Sequence, residues 1–580
     1  MIFYDFEVFE YDWLVVLLDS KSRSEKVIVN DKDQLEKFYQ ANKYDIWVGF
    51  NNKGYDQYIL KGILCDFNPK KISDFIITDG NPGWKFSSLL NRVYSIQYDL
   101  MNSLNKGLKT YEGFQGRNIK ESSVPFNLPR KLTQEEIEET IKYCRADVIN
   151  TYDLFFETID DFNAHRDLVM MAGGNLKNLS KTKTQLSALI LEAKETARND
   201  EFDIYFPDNL KIKKYKKIID WYKSNDSRKY YRTEKNKNIR SKAKRVKNDL
   251  VTYVCGVPHV FGWGGLHGAR KKYHAKGYFI LADVASLYPS LMIIYDLLSR
   301  SCSKRGKEKY EEIYHTRLDL KAQGKKAEQA PLKLVLNSTY GAAKDKFNAL
   351  LDPRNANLVC LFGQLFLLDL MEQLEDYVEI IQSNTDGILF KLDPRDFDIV
   401  DDICYEWETR TGLKLEFDQY KEVFQKDVNN YLLIDLDGKV KAKGGYVKEL
   451  DKLDYDLPIV NKAMRAYMID KVPVEETILS CNDLYEFQMV TKLSSKYDYA
   501  VHGSKILKER VIRSFASTRG TDSPIRKKHA ETGSYEKISL TSDHNFINNG
   551  DVKKLKCPTY LDKAYYIGIA KKRLEDFGVI

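Results

Sequence analysis

The sequence predicts a multidomain protein that combines α/β and α+β domains, and three observations lead to this fold class. A chain of 580 residues is too long for one hydrophobic core, so we expect roughly three to five domains or subdomains. Residues 1–165 mix strand-like apolar runs with helical ones, as an α/β domain does. In the second half, the apolar run Gly277–Val284 leads directly from a strand-like into a helical pattern.

The composition is that of a globular protein, with 43% hydrophobic and 30% charged residues. A net charge of +7 permits a polyanionic partner but does not demonstrate one. The eight cysteines are scattered without any C-x-x-C spacing, which disfavours a disulfide framework or a zinc site and fits a reducing cytoplasm. We find no signal peptide and no apolar run long enough to span a bilayer, so we expect no membrane association.

Residues 211–248 form a strongly basic segment in which Tyr and Trp are interleaved with Lys and Arg. Such a segment is either a solvated helical face or a surface that contacts nucleic acid, and the sequence leaves both interpretations open.

The carboxylates of the first domain form a pattern that suits a metal site. Asp5 and Glu7 lie two positions apart on a strand, so both side chains point to one face. Like charges on an apolar strand are costly unless a positive group separates them, although an edge strand with solvated acids is the simpler alternative. Asp56 follows a later strand, and Asp147 lies one helical turn after Tyr143. Four carboxylates suffice for two hard divalent cations.

A second group of polar residues begins where the strand Gly277–Val284 ends. Asp283 stands at this end and Ser286 is a candidate helix N-cap, so the following amides would suit an anion such as a triphosphate. An ordinary strand–helix turn is the alternative. The segment "LKLVLNSTYGAAK" brings four further residues to one helical face, where a lysine could neutralise phosphate or simply face water. These four are Lys333, Asn337, Tyr340 and Gly341.

The stretch "IIQSNTDGILFKL" has two apolar runs on either side of a polar centre, Asn384 to Gly387. Asn, Asp and Gly tolerate the positive φ angles of tight turns, so the pattern predicts a β-hairpin. Taken alone, the turn explains these residues without a metal.

The first carboxylate group resembles the 3′–5′ proofreading exonuclease domain of DNA polymerases, which has the patterns D-x-E, N-x-x-[FY]-D and Y-x-x-x-D. The matching residues are Asp5, Glu7, Asn52, Tyr55, Asp56, Tyr143 and Asp147. The resemblance implies an RNase H-like domain whose four carboxylates hold two metals. It also implies that Tyr143 orients the attacking water and that Asn52 and Tyr55 hold the frayed 3′ end.

The second half resembles the family B DNA polymerases. Two of their signatures, D-x-x-S-L-Y-P-S and K-x-x-x-N-S-x-Y-G, are matched in full from Asp283 and from Lys333. The D-T-D-S hairpin is matched in part, because Asn384 replaces its first Asp and Gly387 replaces its Ser. The resemblance implies a right-hand polymerase with palm, fingers and thumb. It further implies two Mg²⁺ per active site, with Mn²⁺ as a substitute, held by Asp283, Asp386 and the carbonyl of Val284.

The same resemblance assigns nucleotide and DNA contacts. Tyr288 would lie under the sugar and exclude a 2′-OH. Lys426 would take over the primer grip, since Asn429 replaces the usual lysine two positions before Tyr431. The nucleotide-binding residues are Ser286, Leu287, Tyr288, Lys321, Lys333 and Asn337. The DNA-binding residues are Asn52, Tyr55, Tyr340, Gly341, Asn384, Lys426, Tyr431 and Lys443.

These matches predict six regions along the chain. They are an exonuclease domain (1–165), a basic connecting region (166–255), the first part of the palm (256–300), the fingers (301–341), the second part of the palm (342–450), and the thumb with the C-terminal region (451–580).

The resemblance is to the compact bacteriophage branch, so we expect a monomeric replicative polymerase in the cytoplasm of an infected bacterial host. Its partners would be primer–template DNA and dNTPs, together with a phage helicase, primase and single-strand binding protein. Asp283 and Lys333 are only fifty positions apart, without the long insertion of protein-primed members, which favours a conventional primer over a terminal protein.

Other functions stay open. One is a protein-primed polymerase. Another is a chain that keeps only the exonuclease, with Asn384 marking a decayed polymerase half. A third is a non-catalytic nucleic-acid-binding protein, suggested by residues 211–248. A reverse transcriptase is disfavoured, since its Y-x-D-D hairpin is missing.

Overall fold

A computed structural model describes residues 1–228, 230–232, 245–247 and 249–580. The described chain contains helices and several β-sheets and divides into two compact units, which confirms the prediction of a multidomain chain of mixed α and β structure. The first unit comprises Met1–Leu186, Asp451–Leu457 and Asn482–Asp562. The second comprises Ser187–Leu450, Pro458–Cys481 and Lys563–Ile580. The predicted region 451–580 is thus divided between the two units.

The first unit is built on a five-stranded sheet with the order β3-β2-β1-β4-β5. The central strand β1 is antiparallel to β2 and parallel to β4. Its Tyr4 and Phe6 point into one hydrophobic core, so Asp5 and Glu7 face the other side of the sheet. The strands are β1 (Ile2–Val8), β2 (Trp13–Asp19), β3 (Glu25–Val29), β4 (Ile46–Gly49) and β5 (Ile96–Asp99).

The long helix α5 (Gln134–Glu157) covers the side of the sheet that carries the two acids. It begins at a capping box, in which Thr133 and Glu136 each accept a hydrogen bond from the other's backbone N–H. Phe3 of β1 meets Tyr152 of α5 edge to face, with ring centroids 5.1 Å apart. The other helices up to the unit boundary are α1 (Lys32–Asn42), α2 (Asp56–Leu64), α3 (Pro69–Ser73), α4 (Leu108–Phe114), α6 (Ile159–Met171) and α7 (Lys183–Ile190).

The C-terminal segment of the first unit adds two small sheets, with the orders β17-β20-β23 and β19-β18-β21-β22. The buried Arg513 of β20 donates to the backbone carbonyls of Gly113 and Arg117, which ties this segment to the N-terminal part of its unit. The strands are β17 (Met489–Lys492), β18 (Tyr497–His502), β19 (Lys505–Leu507), β20 (Val511–Ala516), β21 (Ile525–His529), β22 (Tyr535–Lys537) and β23 (Asn545–Ile547).

The second unit is built on an antiparallel nine-stranded sheet with the order β16-β15-β14-β11-β13-β12-β10-β9-β8. The long strand β11 lies between β13 and β14 and ends at the predicted site. The strands are β8 (Leu250–Val254), β9 (Val257–Phe261), β10 (His267–Ala269), β11 (Tyr273–Val284), β12 (Val378–Asn384), β13 (Gly387–Leu392), β14 (Leu415–Asp427), β15 (Asn430–Asp435) and β16 (Val440–Lys443). A separate pair joins β6 (Tyr230–Arg232) and β7 (Arg245–Lys247).

One helix of the second unit, α12 (Pro353–Leu374), corrects the expectation that no apolar run is long enough to span a bilayer. Within the described residues, α12 is long and apolar enough to cross a membrane by length and composition, yet 89% of its most apolar stretch is buried inside the protein. Such burial is what a core helix shows, and a single helix of this kind is weak support for a membrane span. The helices are α8 (Lys216–Lys223), α9 (Leu287–Ile294), α10 (Lys304–Ala322), α11 (Lys326–Ala343), α12 (Pro353–Leu374), α13 (Phe397–Thr411), α14 (Pro458–Asp470), α15 (Val474–Ser480) and α16 (Lys563–Asp576).

The basic segment 211–248 is described in part, and its residues 229, 233–244 and 248 lie outside the described residues. Two of its lysines pair with acids of their own unit: Lys211 lies 2.7 Å from Glu406, and Lys214 lies 2.6 Å from Glu375. Part of the charge is therefore used within the protein, and a role in binding DNA stays a prediction.

Candidate active sites

The four carboxylates of the first unit come from three elements that meet at β1. Asp5 and Glu7 stand on β1 itself, and Asp147 comes from α5, which packs against that strand. Asp56 is the first residue of α2, and its carboxylate accepts a hydrogen bond of 3.1 Å from the backbone N–H of Phe6. That bond fixes Asp56 beside the stretch of β1 that separates Asp5 from Glu7.

Burial and mutual repulsion shift the pKa values of these four carboxylates. Burial raises the pKa of Asp5 and of Glu7 well above the usual range, and the neighbouring carboxylates raise both further. Burial, with a smaller effect of the Asp99 carboxylate, raises the pKa of Asp56 to about 7, against the backbone hydrogen bonds that it accepts. For Asp147, burial raises the pKa while the Lys109 ammonium, 2.7 Å away, opposes the rise. One lysine among four such acids leaves negative charge that a divalent cation would neutralise, so the residues fit a site for hard cations.

The metal-free protein should lose stability as the pH rises through this range. Asp56 titrates near 7 when folded and near 3.9 when unfolded, so between these values the folded state holds the extra proton. The contribution of Asp56 to the free energy of unfolding is fully present below pH 3.9 and is lost as the pH rises through 7. Between these two values it falls by about 1.4 kcal/mol per pH unit. Thermal unfolding in EDTA should therefore show a lower midpoint at pH 8 than at pH 6.5, and Mg²⁺ should reverse the loss.

The control for this prediction is Asp56→Asn, which cannot titrate and should show a smaller change in midpoint. Burial lowers the pKa of the buried His259 to about 4, so between pH 4 and about 6.5 this histidine makes stability rise with pH. The comparison therefore starts at pH 6.5, above the range of this opposite effect. An equal pH dependence in wild type and variant would contradict the assignment.

Two residues near these carboxylates, Cys144 and Lys109, were not predicted from the sequence. Cys144 lies directly after Tyr143 and its thiol donates to the backbone carbonyl of Asp5 at 3.3 Å. Its sulfur and carboxylate oxygens of Asp5 and Glu7 lie within 4.8 Å of one another. Lys109 binds Asp147 and also lies 4.5 Å from the ring centroid of Tyr143. Cys144 could have been found from its place inside the Y-x-x-x-D pattern, whereas nothing local marks Lys109.

The other predicted exonuclease residues bond to protein groups. Tyr143 donates through its hydroxyl to Glu121 at 3.0 Å, and burial raises its pKa. Asn52 is fully buried and donates to Gln97 at 2.9 Å. The hydroxyl of Tyr55 donates to Ser73 at 2.9 Å. The roles of Asn52 and Tyr55 at a DNA end stay predictions.

In the second unit, Asp283 and Asp386 come from neighbouring strands at one end of the sheet. Asp283 pairs in register with Gly387, the residue after Asp386. The backbone N–H of Val284 donates to the backbone carbonyl of Asp386 at 2.6 Å. The predicted hairpin is present as β12, a two-residue turn and β13, and Thr385 in the turn has φ +35°.

Gly387 lies close to the carboxylate of Asp283. A Cβ atom at Gly387 would lie 1.8 Å from Oδ1 of Asp283 and 3.2 Å from the backbone carbonyl of Ala282. A side chain at this position would therefore require the flexible end of Asp283 to turn aside. The residue at position 387 thus affects the orientation of Asp283.

Asp283 and Asp386 lie near three cationic or titratable side chains, of which the sequence analysis singled out Lys443 but not Lys441 or His267. Burial raises the pKa of Asp283 to about 6, against the opposing effect of Lys441, whose ammonium is 3.9 Å away. Burial also raises the pKa of Asp386, and Lys443, Lys441 and His267 oppose the rise. Asp283 is partly buried and Asp386 is exposed, and the carboxylate of Asp386 lies near enough to raise the pKa of Asp283 further. Two neighbouring carboxylates supply the hard oxygen ligands that Mg²⁺ prefers, so these residues fit such a cation.

The start of α9 carries predicted phosphate ligands. Ser286 is the N-cap and adopts the left-handed conformation, φ +52°, without a side-chain cap. Its hydroxyl instead accepts a hydrogen bond of 2.6 Å from Arg317 on α10. Lys321, one turn further along α10, forms an ion pair of 2.6 Å with Glu416, which lies opposite Asp283 in the register of β11 and β14. Arg317 is a candidate that the sequence analysis missed.

Helix α11 presents three predicted residues to solvent on one face: Lys333, Asn337 and Gly341. Tyr340 is half-buried, and its ring centroid lies 4.6 Å from that of Tyr288. The Leu287 side chain is buried in the core. The exposed face is open to a ligand, while the two tyrosines pack together beside it.

The predicted primer-grip residues lie on the strands at the far edge of the large sheet. Tyr431 is buried and pairs in register with Lys443, whose ammonium is 6.0 Å from its ring centroid. Lys426 forms an ion pair of 2.8 Å with Asp427. Asn384 pairs in register with His267 of β10.

Searches against protein-family models and against curated proteins found no match for this chain. Among solved structures, the chain is similar to the family B DNA polymerase from the hyperthermophilic archaeon Pyrobaculum calidifontis. The TM-score is 0.44 and the sequence identity 13%, over 99% of this chain and 77% of that chain. With a similarity this low, the functional assignment depends on the site residues.

Proposed function

We propose that the protein is a template-directed DNA polymerase of family B with a 3′–5′ proofreading exonuclease. The observation that carries the proposal is the meeting of Asp283 and Asp386, far apart in sequence, at adjacent strand ends beside a helix N-terminus. Two carboxylates in front of backbone amides suit the transfer of a phosphoryl group.

The proposed cofactor is Mg²⁺, two ions per active site, with Mn²⁺ as a substitute. Asp283, Asp386 and the carbonyl of Val284 would hold the ions in the polymerase site, and Asp5, Glu7, Asp56 and Asp147 would hold them in the exonuclease site. When bound, such ions lower the pKa of the attacking hydroxyl or water and neutralise the leaving oxygen.

The chain's own cations would bind the triphosphate. Lys333 is exposed on α11, and Arg317 and Lys321 lie one turn apart on α10. Because Lys321 pairs with Glu416, an incoming phosphate would have to compete for its ammonium. The guanidinium of Arg317 donates to the neutral hydroxyl of Ser286, so binding a phosphate there would break no ion pair. It would therefore cost less free energy than displacing Glu416 from Lys321.

The sugar of the incoming nucleotide would lie over Tyr288, which packs against Tyr340. We expect Tyr288→Ala to accept ribonucleotides much better, by about tenfold or more, since steric bulk excludes the 2′-OH. The measurement is kcat/KM for dNTP and rNTP incorporation. Tyr288→Phe is the matched control and should keep the wild-type preference, because the ring remains. An unchanged preference in Tyr288→Ala would remove this residue from sugar selection.

The direct test of the proposed function uses a labelled primer–template with Mg²⁺, with and without dNTPs. Extension with dNTPs and shortening without them would support both activities. Shortening without any extension would favour the alternative in which Asn384 marks a decayed polymerase half. Binding without either reaction would favour a non-catalytic nucleic-acid-binding protein.

We further propose that the enzyme is a replicative polymerase of a bacteriophage, monomeric and located in the cytoplasm of the infected host. It would work with a phage helicase, primase and single-strand binding protein. The short spacing between Asp283 and Lys333 supports a conventional primer. Extension of a plain DNA primer tests this choice, and a requirement for a terminal protein would favour the protein-primed alternative.

A further inference from the structure

The small sheet β19-β18-β21-β22 in the first unit has one face that is covered and one that is not. Ala500, Leu507 and Ile525 from three of its strands belong to a hydrophobic cluster with Leu493, Ile512 and Ile538. Because side chains alternate across a strand, the residues between them point away from this cluster. We call this second side the outer face.

The register of the strands defines the outer face. Val501 stands opposite both Ile506 and Arg526, and Lys528 stands opposite Tyr535. Directly opposed residues share a face of the sheet. The main residues of the outer face are Tyr499, Ile506, Arg526, Lys528, Tyr535 and Lys537.

The outer face combines one exposed ring, that of Tyr535, and one partly exposed ring, that of Tyr499, with cations. Ile506 is 56% exposed and Tyr535 is 49% exposed. The hydroxyl of Tyr499 lies 3.2 Å from that of Tyr535, and the ammonium of Lys528 lies 5.2 Å from the centroid of the Tyr499 ring. Two acids lie near this face: Asp543 forms an ion pair with Lys537, and Asp498 lies near Tyr499 and Lys528.

A basic cavity adjoins the outer face at Ile506. Its volume is about 510 Å³, and its lining includes the cationic side chains of Lys120, Lys505, Lys508 and Arg519. Glu509 and Asp522 also line it, and Asp522 pairs with Arg519. The cavity meets the outer face at Ile506, while its other lining residues from these strands, His502, Lys505 and Leu507, stand on the opposite face of the sheet.

We propose that the outer face binds single-stranded DNA, with bases stacked on Tyr499 and Tyr535 and phosphates bound by Arg526 and Lys528. Exposed rings beside cations suit unpaired bases, because each base has a free π face and each linkage a negative charge. Duplex DNA hides its base faces within its own stack, and an acidic protein would leave the rings unused. This surface shares no residue with either carboxylate site and does not depend on the proposed polymerase chemistry.

The test is the binding of a short fluorescein-labelled oligo(dT) to the full chain in EDTA, followed by fluorescence anisotropy. Tyr499→Ala with Tyr535→Ala should raise the Kd about tenfold or more, since both stacking contacts with bases are lost. Tyr499→Phe with Tyr535→Phe keeps the rings and should bind nearly as well as wild type. Lys528→Gln should lower the slope of log K against log salt by about 0.7, the value for one phosphate of a single strand.

Tyr44→Ala is the matched control, because Tyr44 is 72% exposed and has the Lys43 ammonium 5.3 Å from its ring centroid. It should bind oligo(dT) like wild type. An unchanged Kd in the double Ala variant, or an equal loss in Tyr44→Ala, would overturn the proposal. Because metal and dNTPs are absent and the variants change only outer-face residues, the comparison of the variants tests this surface and not the polymerase chemistry.

A second measurement needs no variant and therefore no assumption about folding. Ultraviolet cross-linking of wild type to a bromodeoxyuridine oligonucleotide, followed by peptide mapping, should place the adducts on β18 or β22. Adducts confined to other segments would overturn the proposal.

Discussion

Replacing Asp386 by Asn is expected to reduce primer extension roughly a thousandfold or more. The substitution keeps the size of the side chain but removes a negative charge from a site where Asp283 would be the other carboxylate. Loss of such a group costs about 4 kcal/mol of transition-state stabilisation. The measurement is steady-state extension over a range of Mg²⁺ concentrations, in a background without exonuclease activity.

The neighbouring residue Asn384 provides the control. Asn384→Ala should cost far less than Asp386→Asn, because it removes no charge from the metals. Asn384→Asp should keep activity and lower the Mg²⁺ concentration at half-maximal extension, since it adds a carboxylate. If Asp386→Asn and Asn384→Ala lose equal fractions of the extension rate, both residues contribute equally to extension. Near-normal extension by Asp386→Asn would leave Asp386 as an ordinary turn residue.

The double substitution Asp5→Ala with Glu7→Ala should abolish 3′ trimming while primer extension continues. The two acids share one face of β1 and would supply half of the four metal-binding carboxylates of that site. Extension should continue because Asp283 and Asp386 lie in the other compact unit. The measurement is release of a mismatched 3′ nucleotide in the absence of dNTPs.

A conservative substitution on the same strand tests whether a loss of trimming comes from the missing carboxylates or from disturbed packing of β1. Phe3→Leu alters the packing of β1 against α5 without touching a carboxylate, and it should retain trimming. If the double Ala variant still trims a mismatched end, Asp5 and Glu7 are not the metal ligands.

Local patterns predicted the secondary structure around both sites. The alternation in β1 and the apolar run before Asp283 identified the strands, and the polar centre at Asp386 identified the hairpin. Each signal lies within a few neighbouring residues, where side-chain periodicity and turn preferences determine the backbone. Short-range patterns also identified the N-cap position of Ser286.

Contacts between distant segments could not be predicted in this way. Lys109 reaches Asp147, and Lys441 reaches Asp283, only because the folded chain brings separate elements together. The passage of the chain between the two compact units after residue 450 is likewise a result of tertiary packing. The predicted DNA-binding residues would make their contacts with a second molecule, so patterns within this chain do not determine the geometry of those contacts.

The contact between Gly387 and Asp283 also links the rotamer of a proposed metal ligand to a neighbouring position that carries no charge. A Cβ atom at position 387 would lie 1.8 Å from Oδ1 of Asp283, which is the flexible end of that side chain. A change of Gly387 to Ser would therefore turn the carboxylate of Asp283 aside, while a shift of a few tenths of an ångström would relieve the contact of 3.2 Å with the backbone carbonyl of Ala282. A substitution at position 387 would thus act on the proposed metal site through the direction of a carboxylate and not through its charge.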